Sequence, residues 1–247
     1  MMAGHRIRYV LWDFDNTLAM RNGMWSGMLH SLLQKNGLSH IPIDEIRQHL
    51  KSGFSWHSPQ IPHGELFGGK TWWEFMEGHF MEVLLKVGVD PVHSKRLSAS
   101  VRSEYLHEVH WQVFNDAPQV LEKVMALGCK NVVLSNHVPE LEGLVGKLNL
   151  DRYFHRVYTS GLIGYEKPNP SIFHHVLRDL DASKDECLMV GDSFDADIAG
   201  AEQVGIKAIQ VRSPNTRGWP YYFETLEDMS RGLDRGLLAE ISPPGAH

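Results

Sequence analysis

Asp13 and Asp15 stand two residues apart, directly after an apolar run, Ile7, Tyr9, Val10, Leu11 and Trp12, that reads as a buried strand. Ligands of open α/β sheets bind beyond the carboxyl ends of the strands, so two acids at such an end can aim at one point. Alone, Asp-Phe-Asp-Asn reads equally well as turn punctuation. Four other stretches bear on the choice. Ser135 and Asn136 follow Val132-Val133-Leu134, and Asp192 follows Cys187-Leu188-Met189-Val190-Gly191. Lys167 lies on the connection Gly164–Pro170, which enters a helix, while Asp195 and Asp197 open the helix after Ser193-Phe194. In a parallel sheet these carboxylates, one hydroxyl and one lysine meet at a single edge. Each has a plain reading by itself: Ser135 as a helix cap, Lys167 as a solvated charge, Asp192 as a turn residue. Coincidence accounts poorly for all of them falling at strand ends, so the set reads as a catalytic constellation.

The elements that must position these residues follow from periodicity. From Asn115 onward helix and strand alternate: a helix opened by Asp116 and Pro118 and closed by Gly128, a strand to Leu134, and a helix over Pro139–Leu148. Then come a strand at Val157–Thr159, a helix from Asn169-Pro170 to Leu180, the Cys187–Val190 strand, a helix over Asp195–Val204 and a strand at Ala208–Val211. Strands separated by single helices predict a parallel sheet with right-handed crossovers and helices on both faces. Tyr221–Phe223 is a weaker strand, Leu226–Leu233 a short helix, and the tail at Pro243-Pro244-Gly245 reads as disordered. Between Leu18 and about Val109 the pattern is helical instead: Trp25–Asn36, Pro42–Leu50, a helix opened by a Thr71–Glu74 capping box, and one started by Asp90-Pro91. The third is expected to bury Phe75, Met76, Phe80, Val83, Leu84 and Val87. Its adjacent Trp72 and Trp73 face different directions, which predicts that they are not both core.

Composition narrows the classes. A net charge of −6 argues against nucleic acid or an anionic membrane as partner, since either needs a basic face, but leaves room for a small anionic substrate. Cys129 and Cys187 are the only cysteines and lie in or beside apolar segments, so the expectation is no disulfide framework and a reducing, cytoplasmic compartment. No stretch approaches a membrane span, and Met1–Arg6 leads into a strand-like run rather than the apolar region of a signal peptide. The histidines are scattered without the spacing of a zinc site.

Four motifs in order, Asp13-Phe14-Asp15-Asn16-Thr17-Leu18, Leu134-Ser135-Asn136, Tyr165 to Phe173 (YEKPNPSIF) and Val190 to Asp197 (VGDSFDAD), carry a resemblance to the haloacid dehalogenase-like hydrolases. The resemblance implies a Rossmann-like α/β core from residues 1–18 and 113–247. It also implies a helical insertion over 19–112, similar to the C1 cap of subfamily I. Dehalogenases of this superfamily typically lack an acid at the position of Asp15, whereas phosphatases and phosphomutases keep one, so Asp15 points to phosphoryl transfer. By the same resemblance Asp13 attacks phosphorus, and Asp15 protonates the leaving oxygen and then activates water. Lys167 neutralises Asp13 and a phosphate oxygen, while Ser135 and the Asn136 backbone hold the phosphate. A carboxylate approaching a phosphate at ~4 Å faces about 4 kcal/mol of repulsion per charge pair at an effective dielectric near 20. Mg2+ answers this, held by the Asp13 and Asp192 side chains and the Asp15 carbonyl, with Asp197 acting through water or behind the ligands. Asp195 is extra to the pattern, and helix capping is its plain reading.

Gly64 to Thr71 satisfies the Walker A expression, but that motif requires a preceding buried strand, and Pro59-Gln60-Ile61-Pro62-His63 makes a poor one. The glycines more simply permit a tight turn into the next helix, although Lys70 in such a cap loop could touch an anionic substrate. His49, His57 and His63 could also reach it; a lone loop histidine is more often solvated. The leading expectation is a magnesium-dependent phosphatase acting on a small phosphorylated metabolite. Its alternatives are a phosphomutase similar to beta-phosphoglucomutase, a 2-haloacid dehalogenase and a non-catalytic interaction module.

Overall fold

The first strand is apolar on both faces and is placed where both can be covered. In a computed structural model describing residues 7–64 and 69–241, β1 (Tyr9–Trp12) is flanked in parallel by two strands introduced much later in the chain. These are β4 (Lys130–Ser135) and β6 (Cys187–Gly191), with Trp12 level with Val133 and Val190. β5 (Phe154–Thr159) extends the sheet beyond β4, and β7 (Lys207–Val211) and β8 (Tyr222–Phe223) extend it beyond β6. The order is β5-β4-β1-β6-β7-β8 and every pairing is parallel. Alternate side chains feed two cores. Val10, Trp12, Val133, Val190 and Ile209 face one side, while Tyr9, Leu11, Val132, Met189 and Ala208 face the other. This is why the strands read as continuous apolar runs rather than alternating ones. One polar exception, Asn131, is buried in β4 but satisfied: it accepts from Trp12 Nε1 at 2.9 Å and donates to Leu121 O at 3.0 Å.

Helices α5 (Ala117–Ala126), α6 (Leu141–Lys147), α10 (Leu226–Asp234) and α11 (Leu237–Ile241) contribute to the first core. The second takes α7 (Ser160–Ile163), α8 (Pro170–Asp179) and α9 (Gly200–Gln203). Asn169 caps α8 by accepting from Ser171 N at 2.9 Å, with Pro170 in the first turn, as its sequence predicts.

Between β1 and β4 the chain makes a short antiparallel pair, β2 (Ala19–Arg21) with β3 (Trp111–Val113), that brackets four helices. These are α1 (Met24–Lys35), α2 (Ile43–His49), α3 (Lys70–Lys86) and α4 (Pro91–Tyr105). Their side chains share the first core with the sheet, where Trp72, Phe80 and Val101 belong to the same cluster as Trp12 and Phe14.

Four expectations for this segment need correction. α3 begins at Lys70 with Gly69 as its N-cap and no side-chain cap, so Thr71 lies inside the first turn and no capping box forms there. α4 stops at Tyr105, and the chain to Val109 leaves the helix for a 3₁₀ turn at Glu108–His110. Trp72 and Trp73 are both buried, at 2% exposure each. α3 is covered on more than one side, and Trp73 Nε1 reaches across to the Glu140 carboxylate at 2.9 and 3.0 Å. Phe75 is instead left exposed. Residues 65–68 of the Walker-like stretch and the Pro-Pro-Gly tail lie outside the described residues. The chain before that stretch turns at Ser55–His57 and forms no strand through His63. Neither cysteine forms a disulfide, and both are buried. No helix among the described residues is long and apolar enough to cross a membrane.

Candidate active site

The ladder of β1 and β6 continues one step past the strand, where Asp13 N donates to Val190 O at 2.9 Å, and so fixes the backbone beneath the first carboxylate. The next six residues fold tightly. Phe14 O accepts from Leu18 N at 3.0 Å and Ala19 N at 3.1 Å, and Asn16 sits at φ 60°, a left-handed position that asparagine tolerates. Arg212, the residue after β7, braces this loop, with Nε on Thr17 O at 2.9 Å and Nη2 on Asp116 Oδ1 at 2.5 Å. Asp116 also accepts from Leu226 N at 3.0 Å, so the predicted opener of α5 ties two other elements together.

Asp13 is the hub. Its Oδ1 accepts from Ser135 Oγ at 2.9 Å and Lys167 Nζ at 2.8 Å, and its Oδ2 from Thr17 Oγ1 at 3.3 Å. Lys167 Nζ also donates to Asp197 Oδ1 at 2.5 Å. Burial would lower the lysine pKa, but these two carboxylates hold it above its ordinary value. The lysine backbone is clasped by Asn136, which accepts from Lys167 N at 2.7 Å and donates to Lys167 O at 2.8 Å. Asn136 therefore positions the lysine through its side chain, a role distinct from the backbone contact expected of it.

Asp197 is turned inward by an irregular helix start. The predicted α-helix from Asp195 opens as a π-helical turn, Phe194–Ala199, capped by Ser193 rather than by an aspartate. Such turns concentrate at functional sites. Asp197 Oδ2 accepts from Ser193 N at 3.0 Å, so both of its oxygens are engaged by the protein. It packs so close to β6 that a Cβ on Gly191 would lie 2.1 Å from Oδ2; only glycine fits there. Asp195 stays outside this arrangement, exposed and paired with Arg217 at 3.0 Å.

Asp192 accepts from Ser213 Oγ at 3.2 Å. Oxygens of Asp13, Asp192 and Asp197 lie within 4.8 Å of one another. Burial and the Asp13 charge push the Asp192 carboxyl up to about 6. Burial takes Asp197 up to about 7 despite its contact with Lys167. Clustered buried acids with one lysine among them are short of positive charge, and oxygen donors of this kind fit a hard divalent cation. Asp13 and Asp192 fit as ligands, whereas Asp197, engaged on both oxygens, fits as the group behind them.

Asp15 completes the set. Its Oδ1 is buried without a hydrogen-bond partner. Burial first, and then the charges of Asp13 and Asp192, hold its carboxyl well above the ordinary range. Facing it at 3.6 Å is His137 Nε2, too far for a hydrogen bond. Burial lowers the His137 ring pKa to about 3, and Phe14, Tyr105 and Trp111 surround it at 5.5 to 5.7 Å. Sequence reasoning set the histidines aside as scatter; the available signal was that His137 directly follows Leu134-Ser135-Asn136.

Asp13, Asp15, Ser135, Asn136, Lys167, Asp192 and Asp197 thus line one cleft of ≈ 610 Å³. Lys70 does not join them. Its side chain is 87% exposed and lies 3.6 Å from Glu74 on its own helix. Of the three flagged histidines, His63 is docked, donating its backbone N–H to Gly164 O at 2.9 Å, while His57 is exposed; neither these two nor His49 lines the cleft.

Comparison with known proteins agrees with this architecture. Haloacid dehalogenase-like hydrolase domain-containing protein 3 of Homo sapiens is 27% identical over 217 residues, spanning 85% of this chain and 83% of the human protein. A glyceraldehyde 3-phosphate phosphatase of Methanopyrus kandleri is 33% identical over 139 residues, 54% of this chain and 58% of that one. The fold is shared with the crystal structure of a 2-haloacid dehalogenase from Pseudomonas syringae, with a TM-score of 0.64 and 23% identity over 93% of this chain and 99% of that one. Since residues 7–205, from β1 through the Asp197 turn, match the sequence profile of that family, the chain belongs to the haloacid dehalogenase-like hydrolases.

Proposed function

We propose that this protein is a magnesium-dependent phosphatase that hydrolyses a small phosphorylated metabolite through a phosphoaspartate at Asp13. The observation that carries the reading is the pairing of two unlike carboxyls. Asp13 is held by Ser135, Thr17 and Lys167, while Asp15 beside it has an unpartnered buried oxygen and a raised pKa. A carboxyl that burial and neighbouring charge make a readier proton holder than an ordinary aspartate, next to a carboxylate oriented by donors, is the division of labour that acid-assisted nucleophilic displacement needs.

In the first step an Asp13 oxygen bonds to phosphorus as the bond to the leaving oxygen breaks, and the Asp15 proton passes to that oxygen. In the second step Asp15, now ionised, takes a proton from water. The water oxygen bonds to phosphorus, the bond to Asp13 breaks, and both carboxyls return to their starting states. Lys167 and Ser135 offset charge at Asp13 throughout. Mg2+, held by Asp13, Asp192 and the Asp15 carbonyl with Asp197 behind them, supplies the positive charge that lets a carboxylate meet a phosphate. Residues 19–112 serve as a C1-type helical cap that covers the cleft. A halide leaving group needs no proton from Asp15, and the phosphatase named among the relatives supports the same direction.

Release of inorganic phosphate from a panel of phosphorylated sugars, acids, nucleotides and cofactors tests the reading, with Asp13→Asn as blank. The expected result is phosphate released in proportion to substrate consumed, abolished by EDTA and restored by Mg2+. Activity retained by a folded Asp13→Asn protein refutes the nucleophile. An isomerised phosphoester without free phosphate makes the enzyme a mutase.

A further inference from the structure

The segment between β1 and β4 contributes Met24, Trp25, Trp56, Pro59 and Tyr105 to the lining of the same cleft. Trp25 stacks on Tyr105 with ring centroids 3.7 Å apart and planes within 8°. Trp56 stacks on Phe54 at 4.3 Å and 10°, and the two indoles, 6.4 Å apart, lie within 20° of parallel. Both indoles are only half-buried, so each is held by a ring behind it and offers remaining surface to the cleft. A contiguous apolar surface of this kind inside a polar cleft marks a binding wall.

The charges point the same way. Lys167 is the one cationic side chain among the described residues lining the cleft, and it is already shared by Asp13 and Asp197. Arg21 lies behind Tyr105, 5.8 Å from its ring, and opens on a separate cavity with His30, Arg47 and His110. The stretch Glu65-Leu66-Phe67-Gly68 contains no Lys or Arg, and Lys70 is turned to Glu74. A second anionic group on a substrate would find no uncommitted cation here: Asp192 adds negative charge to the lining, and Asp195, also on the cleft, already takes up Arg217.

Building on the phosphatase reading, we propose that the alcohol portion of the substrate is an aromatic or heteroaromatic group without a second anionic charge, packed on the surface that Trp25 and Trp56 leave open, with buried Tyr105 supporting Trp25 from behind. Stacking and burial of one ring there favour it over a small alkyl group by about tenfold or more.

The test compares kcat/KM for 2-phenylethyl phosphate and propyl phosphate, both esters of simple primary alcohols, with phosphoserine as the doubly functional control. A preference of about tenfold for the phenyl ester is expected, with phosphoserine poorest. Trp56→Ala should bring the phenyl-to-propyl ratio close to one, and Trp56→Phe should retain part of it. A wild-type ratio near one, a preference for phosphoserine, or a ratio unmoved in folded Trp56→Ala overturns the proposal. Calorimetric binding of 2-phenylethylphosphonate and propylphosphonate, which are not hydrolysed, reads the wall without the chemistry. If no ester is turned over yet the phenyl phosphonate binds about tenfold tighter, the wall stands and the catalytic reading falls. Equal binding overturns the wall, whatever the activity.

Discussion

Replacing Lys167 by Met keeps a side chain of similar length and removes only the charge, which makes it the most searching perturbation of this site. Nζ lies 2.8 Å from Asp13 Oδ1 and 2.5 Å from Asp197 Oδ1, with the lysine side chain 1% exposed. At an effective dielectric near 20, one charge pair at that distance is worth about 6 kcal/mol before desolvation, and desolvation of the charges offsets most of it. The measurable quantity is the cost of leaving buried carboxylates without their cation, about 3–5 kcal/mol. For a chain of this size that corresponds to a fall in Tm of about 6–20 °C. The loss should depend on pH, with a definite sign. The lysine pKa is raised above 10.5, so its own stabilising charge is fully present from pH 5 to pH 8 and contributes no slope. Asp197 and Asp192, raised to about 7 and about 6, keep their protons in the folded state below those values and give up stability as pH rises through them. At about pH 5 the variant can hold these carboxyls neutral, and the loss is small; removing Lys167, which lowers both pKa values, raises them further, so keeping the carboxyls neutral costs more as pH rises and the loss grows toward about pH 8. Calorimetry of EDTA-treated wild type and Lys167→Met at both pH values is the assay. Adding Asp197→Asn should recover part of the loss at high pH. Equal losses at pH 5 and pH 8, or a variant as stable as wild type at pH 8, refute the assignment of Lys167 as the counter-charge.

Three other outcomes follow from the same geometry. Asp15→Asn should keep Tm within a few degrees and lower kcat by about 10²–10⁴-fold, the ordinary range for a lost general acid. Wild-type kcat should fall as pH rises through the Asp15 pKa, a limb the variant lacks, and a shared alkaline limb would assign it elsewhere. Gly191→Ala places a Cβ 2.1 Å from Asp197 Oδ2 and should cost about 1–3 kcal/mol in chemical denaturation while depressing activity; a silent substitution would mean that Asp197 can move freely. Added Mg2+ should raise Tm more at pH 8 than at pH 5, because Asp192 and Asp197 must lose protons to bind or support it. A pH-independent rise would place the cation at another site.

The sheet and its edge were legible because their signals are local. Four-residue apolar runs ending in Asp, Ser or Gly-Asp identify strand ends, and a parallel sheet brings those ends together without further information. Asp13, Asp15, Ser135, Lys167 and Asp192 were accordingly expected at one edge from residue type and position, and they line one cleft. What stayed hidden depends on contacts between distant segments. That Asn136 grips Lys167 through its amide, that Arg212 braces the Asp13 loop and that His137 faces Asp15 have no local signature, since an isolated Asn, Arg or His reads as surface. The π-helical turn was missed for a related reason: Phe194–Ala199 has ordinary helix formers, and only the demand that Asp197 reach Lys167 explains the extra residue in the turn. Trp72 and Trp73 were misread because periodicity assumes one buried face, whereas α3 is covered from more than one side.

The Trp56 wall and Lys167 are not independent parts of this molecule. Trp56 and Pro59 sit on the segment that docks through His63 N to Gly164 O at 2.9 Å and receives Asn169 Nδ2 on Pro59 O at 2.8 Å. Gly164 and Asn169 flank Lys167 on the loop whose backbone Asn136 holds. Glu166, between them, is 2% exposed, with its Oε2 3.8 Å from His63 Nε2 and no hydrogen-bond partner for that oxygen. Lifting the wall away from the sheet would break both hydrogen bonds and remove the one imidazole near a buried carboxylate whose pKa burial has already raised. The segment that carries Trp56 and Pro59 into the cleft therefore also buttresses the loop that sets the distance from Nζ to Asp13. On the proposed reading, a substrate group that packs on Trp56 would act, through two hydrogen bonds, on the loop that carries Lys167 to Asp13.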